Sequence, residues 1–286
     1  MNESSEKYLT VAQDNRICQT AYTKNKENDL TTYQKQLILV AIARVQKEDT
    51  EFKIETIPFK EFMTVMDIPI GGNTERKIAE SVEALANKSF IIKEANGAKT
   101  ELLWVNPEAT RVDWSEKVIY IQLHSDLEKY LLNLSGSFTS FQLGFVANLK
   151  GKYSFRVYEY LHSYLGLGKL ILKREDALKI LGSNRYCQIA DFDRYVLKKA
   201  IEEINEYTDL DIKYHRRIDR KTITHYFFII RKKDPEDIEL IQDEWVPREC
   251  EYDQIKKDFK QFLNPSTKKE APNKKEKNNI YESEIL

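Results

Sequence analysis

The sequence predicts an α+β fold built from one unit used twice, on three observations. Apolar residues spaced three and four apart alternate with period-two runs along most of the chain, which is the pattern of helices interleaved with strands. The order helix, strand, short helix, turn, helix, hairpin occurs twice. Finally, Ile78, Val82-Glu83 and Leu85 of the first copy match Leu197, Ile201-Glu202 and Ile204 of the second at a constant offset of 119, as an internal duplication would leave them. At about 100–200 residues per domain, 286 residues suit two domains, each able to bury a core.

In the first copy, Leu37, Val40, Ala41 and Arg44-Val45 define an amphipathic helix over about 31–47, with Thr31 or Thr32 as its N-cap. Phe52 to Ile57 alternates as a short strand. Pro58 then starts a helix over 59–66, a position where proline is tolerated. Ile68-Pro69-Ile70-Gly71-Gly72-Asn73 is turn chemistry. Helix 74–88 buries Ile78, Val82 and Leu85. Strand-like runs follow at 90–94, at 102–105 with an extension to Val112, and at 118–123; Asn96-Gly97 marks a hairpin turn. A short helix near 125–132 closes the unit, and 135–151 reads as a connecting segment.

In the second copy, helix 153–165 turns Phe155, Tyr158, Leu161 and Leu165 inward. Lys169–Leu172 is a short strand, and helix 174–181 ends at Gly182 as a C-terminal cap. A turn over 183–190 leads into a long helix, 191–207. Strands 210–215 and 222–231 are joined through Arg216-Arg217-Ile218-Asp219-Arg220-Lys221. Beyond Lys233 an acidic stretch precedes a repeat of Tyr252, Ile255, Phe259 and Phe262-Leu263, the pattern of a packed helix. Residues 264–286, rich in Lys, Asn and Glu, read as a disordered tail. The expected division is 1–135, 136–232, 233–263 and 264–286.

Composition narrows the function classes. Charged residues make up 32% of the chain, and no run approaches the ~18–20 apolar residues of a membrane span. Met1 to Lys7 has no apolar core, so no secretory leader is expected and the cytoplasm is the expected location. Cys18, Cys187 and Cys250 are far apart and form no C-x-x-C pair, so they are expected to be ordinary reduced thiols. The net charge of −1 conceals a segregation. Residues 151–232 carry 17 basic and 11 acidic side chains, a net of 17 − 11 = +6, whereas 1–150 carry 18 and 21, and 233–263 carry 5 and 10. A polyanion is a reasonable partner for the basic block.

Two short helices joined by a turn and followed by a β-hairpin make a helix-turn-helix with a wing, which binds duplex DNA by placing its second helix in the major groove. Stepped at 100° per residue, helix 191–207 puts Phe192, Val196, Leu197, Ala200, Ile201 and Ile204 on one half. Arg194, Tyr195, Lys198, Lys199, Glu202, Asn205 and Glu206 fall on the other. Arg194, Tyr195, Lys198 and Lys199 are therefore candidate DNA contacts, and Arg185 and Tyr186 in the preceding turn can reach the same groove. Arg216, Arg217, Arg220 and Lys221 crowd the hairpin tip, where phosphate contact is natural. The first copy offers Arg76 and Lys77, but also Glu80 and Glu83, and its hairpin mixes Lys93, Lys99 and Arg111 with Glu94, Glu101 and Asp113. A protein–protein role with secondary DNA contact is expected there, with exposed strands available for self-association.

Three segments carry a family resemblance: Leu30-Thr31-Thr32-Tyr33-Gln34-Lys35-Gln36-Leu37-Ile38-Leu39, Ser154-Phe155-Arg156-Val157-Tyr158-Glu159-Tyr160-Leu161, and Asp191-Phe192-Asp193-Arg194-Tyr195-Val196-Leu197-Lys198-Lys199-Ala200-Ile201-Glu202-Glu203-Ile204-Asn205. The third, followed by Thr208-Asp209-Leu210, is the most specific. Over about 7–232 the chain resembles the iteron-binding plasmid replication initiators of the Rep_3, or RepB/RepE-like, family. The resemblance implies two winged-helix domains, binding to direct repeats at a plasmid origin, a monomer that initiates and a dimer that represses its own gene. It also implies that the second domain makes the main major-groove contacts and the first serves dimerisation and additional DNA contact. The family's basic residues after the Asp-Phe pair fall on Asp193, Arg194 and Tyr195, and only Arg194 keeps the charge.

No enzymatic site is expected. His124, His162, His215 and His225 form no H-x-H pair of the kind nicking enzymes use, and Gly151-Lys152 and Gly168-Lys169 lack the remainder of a P-loop. Neither a metal nor a cofactor is predicted. The expected partners are double-stranded DNA at origin repeats and operator, a second copy of the chain, and host helicase or initiator proteins, with no membrane. A dimeric winged-helix repressor without initiation activity is the alternative, and a nicking enzyme with an unrecognised site is a third reading.

Overall fold

The computed structural model describes residues 10–20, 26–94, 96–181, 189–220 and 222–234. The chain opens with a strand and a short helix, β1 (Thr10–Asp14) and α1 (Asn15–Thr20). The first repeated unit follows as α2 (Thr32–Ala43), β2 (Glu55–Pro58), α3 (Phe59–Val65), α4 (Gly72–Leu85), β3 (Ser89–Lys93) and β4 (Lys99–Leu103). It is extended by β5 (Arg111–Asp113), β6 (Val118–Ile121), α5 (Glu128–Leu131), β7 (Phe138–Gln142) and α6 (Leu143–Ala147). The second unit is α7 (Ser154–His162), β8 (Lys169–Lys173), α8 (Arg174–Leu181), α9 (Ile189–Phe192), a π-helical turn over Asp193–Lys198, α10 (Lys199–Tyr207), β9 (Leu210–Asp219) and β10 (Thr222–Lys232).

Local chemistry sets the start of α2. The Thr31 side chain accepts from the Gln34 N–H while the Gln34 side chain accepts from the Thr31 N–H, a reciprocal capping box that satisfies two otherwise unpaired donors. The spacing had predicted an amphipathic helix, but α2 is buried on every side from Gln36 to Ala43. It is the central rod of the first unit, packed by β1, α4 and α6. A helix apolar all round belongs in the interior, and Leu37, Ile38, Leu39 and Val40 are all shielded from solvent.

The segment 135–151, read as a connection, contains β7 and α6. β7 pairs antiparallel with β1, in register from Thr10 opposite Gln142 to Asp14 opposite Phe138. Its alternation is short, with only Thr139 and Phe141 turned inward, so it reads weakly until its distant partner is supplied. The expected strand at 102–105 running on to Val112 is two strands in two sheets: β4 pairs with β3, and β5 pairs with β6.

The duplication is visible in the helices. The offset-119 matches Ile78, Val82 and Leu85, and Leu197, Ile201 and Ile204, are all buried. The sheets are wired differently. In the second unit β8 joins the hairpin as a third strand, in the order β8-β10-β9; in the first unit the corresponding β2 joins β6, in the order β2-β6-β5, leaving β3-β4 a two-stranded ribbon. The inserted β5–β6 hairpin takes the place that the hairpin strand holds in the second unit.

One continuous core runs from Val11 to Ile230. Helix α7 is its seam, packing on α1 and on α10. Buried Glu159 of α7 pairs with Lys35 of α2 at 2.8 Å and accepts from Gln13 of β1 at 2.9 Å. From the other side, the Glu203 carboxylate of α10 accepts from the Lys150 and Gly151 N–H groups and the Ser154 hydroxyl, capping the entrance to α7. Among the described residues no helix is long and apolar enough to cross a membrane.

Candidate nucleic-acid interface

Helix 189–207 is one continuous rod whose middle turn, Asp193–Lys198, is π-helical. The wider turn leaves the predicted division of faces intact. Phe192, Val196, Leu197, Ala200, Ile201 and Ile204 are buried; Arg194, Lys198, Lys199, Glu202 and Glu206 are exposed, and Tyr195 is 41% exposed. Two cations flank the Tyr195 ring, the Arg194 guanidinium at 5.3 Å and the Lys199 ammonium at 5.7 Å from its centroid. Lys198 lies 3.7 Å from Glu202 one turn on, with both side chains well exposed. Such a pair is held weakly and exchanges readily with solvent or another anion. The free half of the helix is thus cationic and aromatic near its N-terminal end, where base edges are met.

Asn205, placed on the free half by the 100° wheel, is instead a structural clamp. Its amide donates to the Ile212 carbonyl at 2.8 Å and accepts from the Ile212 N–H at 2.7 Å, which locks the helix to the first wing strand. The next residues of the motif serve the same joint. The Thr208 hydroxyl donates to the Ile204 carbonyl and accepts from the Leu210 N–H. Buried Asp209 accepts from the Tyr158 hydroxyl at 2.8 Å and lies 3.8 Å from His162. Burial pushes the Asp209 carboxyl upward, but hydrogen bonds from His162 and Tyr158 outweigh it and hold the group below the usual carboxylate range. The Lys233 ammonium donates to the Thr208 carbonyl at 2.8 Å and to that of Asn205, closing the end of α10. These residues fix the angle between helix and wing.

The wing corrects one expectation. Arg216 and Arg217 were placed at the hairpin tip, but β9 runs on to Asp219, so they sit within the ladder opposite Tyr226 and His225. The tip is the two-residue link 220–221 between Asp219 and its partner Thr222. Arg220 is exposed there with φ of 45°, a left-handed conformation that costs an ordinary residue about 1–2 kcal/mol and that Asn or Gly would adopt more easily. Arg217 is exposed. Arg216 is half exposed and reaches back to the helix, pairing with Asp193 at 3.0 Å, and the Tyr214 hydroxyl donates to the same carboxylate at 3.3 Å. Asp193, an acid among cations, therefore ties the candidate recognition helix to the wing and is charge-compensated by it.

Arg194, Tyr195, Lys198, Lys199 and Arg216 thus belong to one helix-and-ribbon surface, with Arg220 at the end of the ribbon and Arg217 on the ribbon's other side. Arg185, Tyr186 and Lys221 lie outside the described residues, as do Cys187 and Cys250. Arg76 and Lys77 are exposed on α4, in the first unit. Arg76 donates to the Asn73 side chain at 3.2 Å and lies 3.9 Å from Glu80. The first unit's hairpin is tied down: Glu94, just after β3, pairs with Arg16 at 3.0 Å and Lys129 at 2.9 Å and accepts from the Tyr130 hydroxyl. These partners hold its carboxyl low, the Tyr130 bond most of all. Its turn, over Asn96–Ala98, exposes no charge. Sequence reasoning missed Asp193, Tyr214 and Asn205 as positioning residues because their bonds join the helix to β9, whose register only the fold supplies. Cys18 is buried, and burial pushes its thiol up to about 12. No group of three or more His, Cys, Asp or Glu side chains among the described residues is arranged to hold a metal ion.

Residues 10–162 match the family described as "Initiator Replication protein, WH1" and residues 175–230 that described as "Initiator Rep protein, WH2". The second match spans α8, the candidate recognition helix and both wing strands. Among solved structures, two crystal structures of domains 2 and 3 of RctB are similar at 11% identity. They cover 73% and 74% of this chain and 82% and 86% of their own, with TM-scores of 0.44 and 0.41. With both of its winged-helix domains matched in order, the chain belongs to the Rep_3 family of initiator replication proteins.

Proposed function

We propose that this initiator binds direct repeats at a plasmid origin, with helix 189–207 in the major groove and the β9–β10 ribbon on the adjoining phosphates. The observation that carries the reading is the joint itself. A cationic, aromatic helix half and an arginine-bearing ribbon are locked to each other through Asn205–Ile212 and Asp193–Arg216, so base contact and backbone contact arrive as one rigid surface. In this reading Arg194, Tyr195, Lys198 and Lys199 face base edges. Arg216, Arg217, Arg220 and Lys221 face phosphates, and Arg185 and Tyr186 extend the helix contact.

The first winged-helix domain serves self-association and secondary DNA contact through Arg76 and Lys77. Its own hairpin is engaged by α1 and α5, which favours that division of labour. As a monomer the protein opens the origin and recruits host replication machinery; as a dimer it represses its own gene. No catalytic step is assigned to the chain, and strand opening rests on binding energy.

Binding of end-labelled duplexes carrying tandem repeats from the flanking DNA, measured across a salt series, tests the interface. Arg194→Ala and Lys198→Ala are expected to cost about 1–3 kcal/mol each where they read a base, and Arg217→Ala to weaken all sequences alike with a flatter salt slope. Wild-type binding by all three variants would remove this surface from the interface. Permanganate reactivity of thymines in a supercoiled origin plasmid separates an initiator from a repressor of the same fold, because only the former leaves unpaired bases.

A further inference from the structure

The end of the β9–β10 ribbon carries an apolar pair of which the core takes up one member only: Ile223 packs against it, partly buried, while its partner is left outside. Ile218 is 60% exposed and stands opposite Ile223 across the ribbon. Side chains alternate along a strand, so Ile218 shares a side of β9 with Arg216, and Arg216 points at Asp193 on the helix. Ile218 therefore lies on the helix side of the wing, one step nearer the tip. Two residues to either side of it are Arg216 and Arg220, both exposed.

Two backbone features present this pair. The register slips between Ile223 and His225, leaving Thr224 as an extra residue on β10, and such a bulge bends a strand and strengthens its twist. The tip then turns through Arg220 in its left-handed conformation, which retains a cation where glycine would cost less. An apolar side chain standing between arginines at the end of a long ribbon matches a known chemical logic. Cations neutralise the phosphates lining a narrow groove, and the apolar group slides between two base pairs and partly unstacks them.

We propose that Ile218, backed by Ile223, is a wedge that enters the minor groove next to the sequence read by the helix and kinks the duplex there. This rests on the DNA-binding reading of the helix–ribbon surface. Unstacking is unfavourable at every step and least so at flexible pyrimidine–purine steps. The wedge thus adds a preference for such a step at the edge of the site, and it places a distorted step where strand separation can begin.

The test uses the full chain and a duplex that the wild-type protein selects from a random-sequence pool, carrying a donor–acceptor dye pair at its ends and 2-aminopurine at successive steps of the flank. Wild type is expected to shorten the end-to-end distance and to raise 2-aminopurine fluorescence at one step. Ile218→Thr keeps a β-branched residue in the strand, so it should leave thermal stability and the salt slope unchanged. It is expected to lose the fluorescence rise and about half of the bend or more, and Ile218→Met, apolar and of similar bulk, should restore both. An undiminished kink with Ile218→Thr would overturn the wedge while leaving the helix contact standing. Unaltered binding by an Arg194→Ala, Lys198→Ala double variant would overturn the interface, and the wedge with it.

Discussion

Arg216→Ala is expected to weaken duplex binding through two effects of the same sign. In the free protein Arg216 pairs with Asp193 at 3.0 Å, with 47% of the arginine side chain and 15% of the aspartate exposed. A pair this open contributes only about 0.2–1 kcal/mol to folding, so the variant should stay folded at working temperatures. On DNA the loss is larger. One charge-assisted contact disappears, worth about 1.5–3 kcal/mol. Asp193 is also left uncompensated beside a polyanion; at roughly 8 Å from a phosphate its repulsion is about 0.5 kcal/mol in water and about 2 kcal/mol at an effective dielectric constant of 20. Together these lower affinity by about 2–5 kcal/mol. Adding Asp193→Asn should recover only the repulsive part, about two- to thirty-fold in affinity, and should not restore the salt slope, which stays lower by about 0.9 for the lost phosphate contact. Fluorescence anisotropy titrations of the four species (wild type, both singles and the double) across a salt series measure both quantities. If Arg216→Ala bound with wild-type affinity and slope, or if the double variant bound no better than the single, the placement of this pair against the duplex would be wrong.

Four other outcomes follow from the same geometry. Asn205→Ala removes two backbone hydrogen bonds at Ile212 and should lower unfolding free energy by about 1–3 kcal/mol in a denaturant titration, with looser DNA binding as the wing loses its anchor. The Tyr226 hydroxyl is buried and finds no partner among the described residues, and burial pushes it up to about 12. Tyr226→Phe should therefore be neutral or stabilising by about 1 kcal/mol, and a clear loss of stability would reveal a partner. Asp209 has a depressed folded value, so its contribution is complete above the ordinary carboxylate range near pH 4 and is lost as pH falls through the folded value; stability of Asp209→Asn should accordingly fall less steeply than wild type below about pH 4. Arg220→Gly should relieve about 1 kcal/mol of left-handed strain, raising thermal stability while lowering duplex affinity and reducing the salt slope by about 0.9.

Much of the candidate interface is readable in the linear chain. The helix 189–207 keeps its apolar half inward because six residues at three- and four-residue spacing outweigh the one irregular turn in their midst. The charge block over 151–232 correctly marked the half of the chain that carries the helix-and-ribbon surface. What a helical wheel could not show was the work of individual polar residues. To it Asn205 is one more polar position on the free half and Asp193 an odd acid on the apolar half, yet each has a specific bond to β9, and Asp209 is satisfied by Tyr158, 51 residues away in sequence. The most specific motif of the chain, Asp191 to Asn205 with Thr208-Asp209-Leu210, therefore encodes a joint as much as a contact.

Periodicity, caps and turn residues are short-range properties. For that reason the linear chain was enough to mark the main helices of both units, a threonine cap at Thr31 or Thr32, the Asn96-Gly97 turn, the duplication at offset 119 and the cationic half of one helix, but not α1 or α6. Coverage and pairing are long-range properties. That α2 is enclosed rather than half-exposed depends on β1, α4 and α6 arriving around it. That Phe138 to Gln142 is a strand depends on a partner at the other end of the domain, and that the two hairpins are wired into different sheets depends on an inserted pair of strands competing for one edge. A strand exposes unpaired donors and acceptors that any neighbour can satisfy. Which neighbour does so is settled by the packing of the whole domain, and with it which arginines reach outward and which are held by the fold.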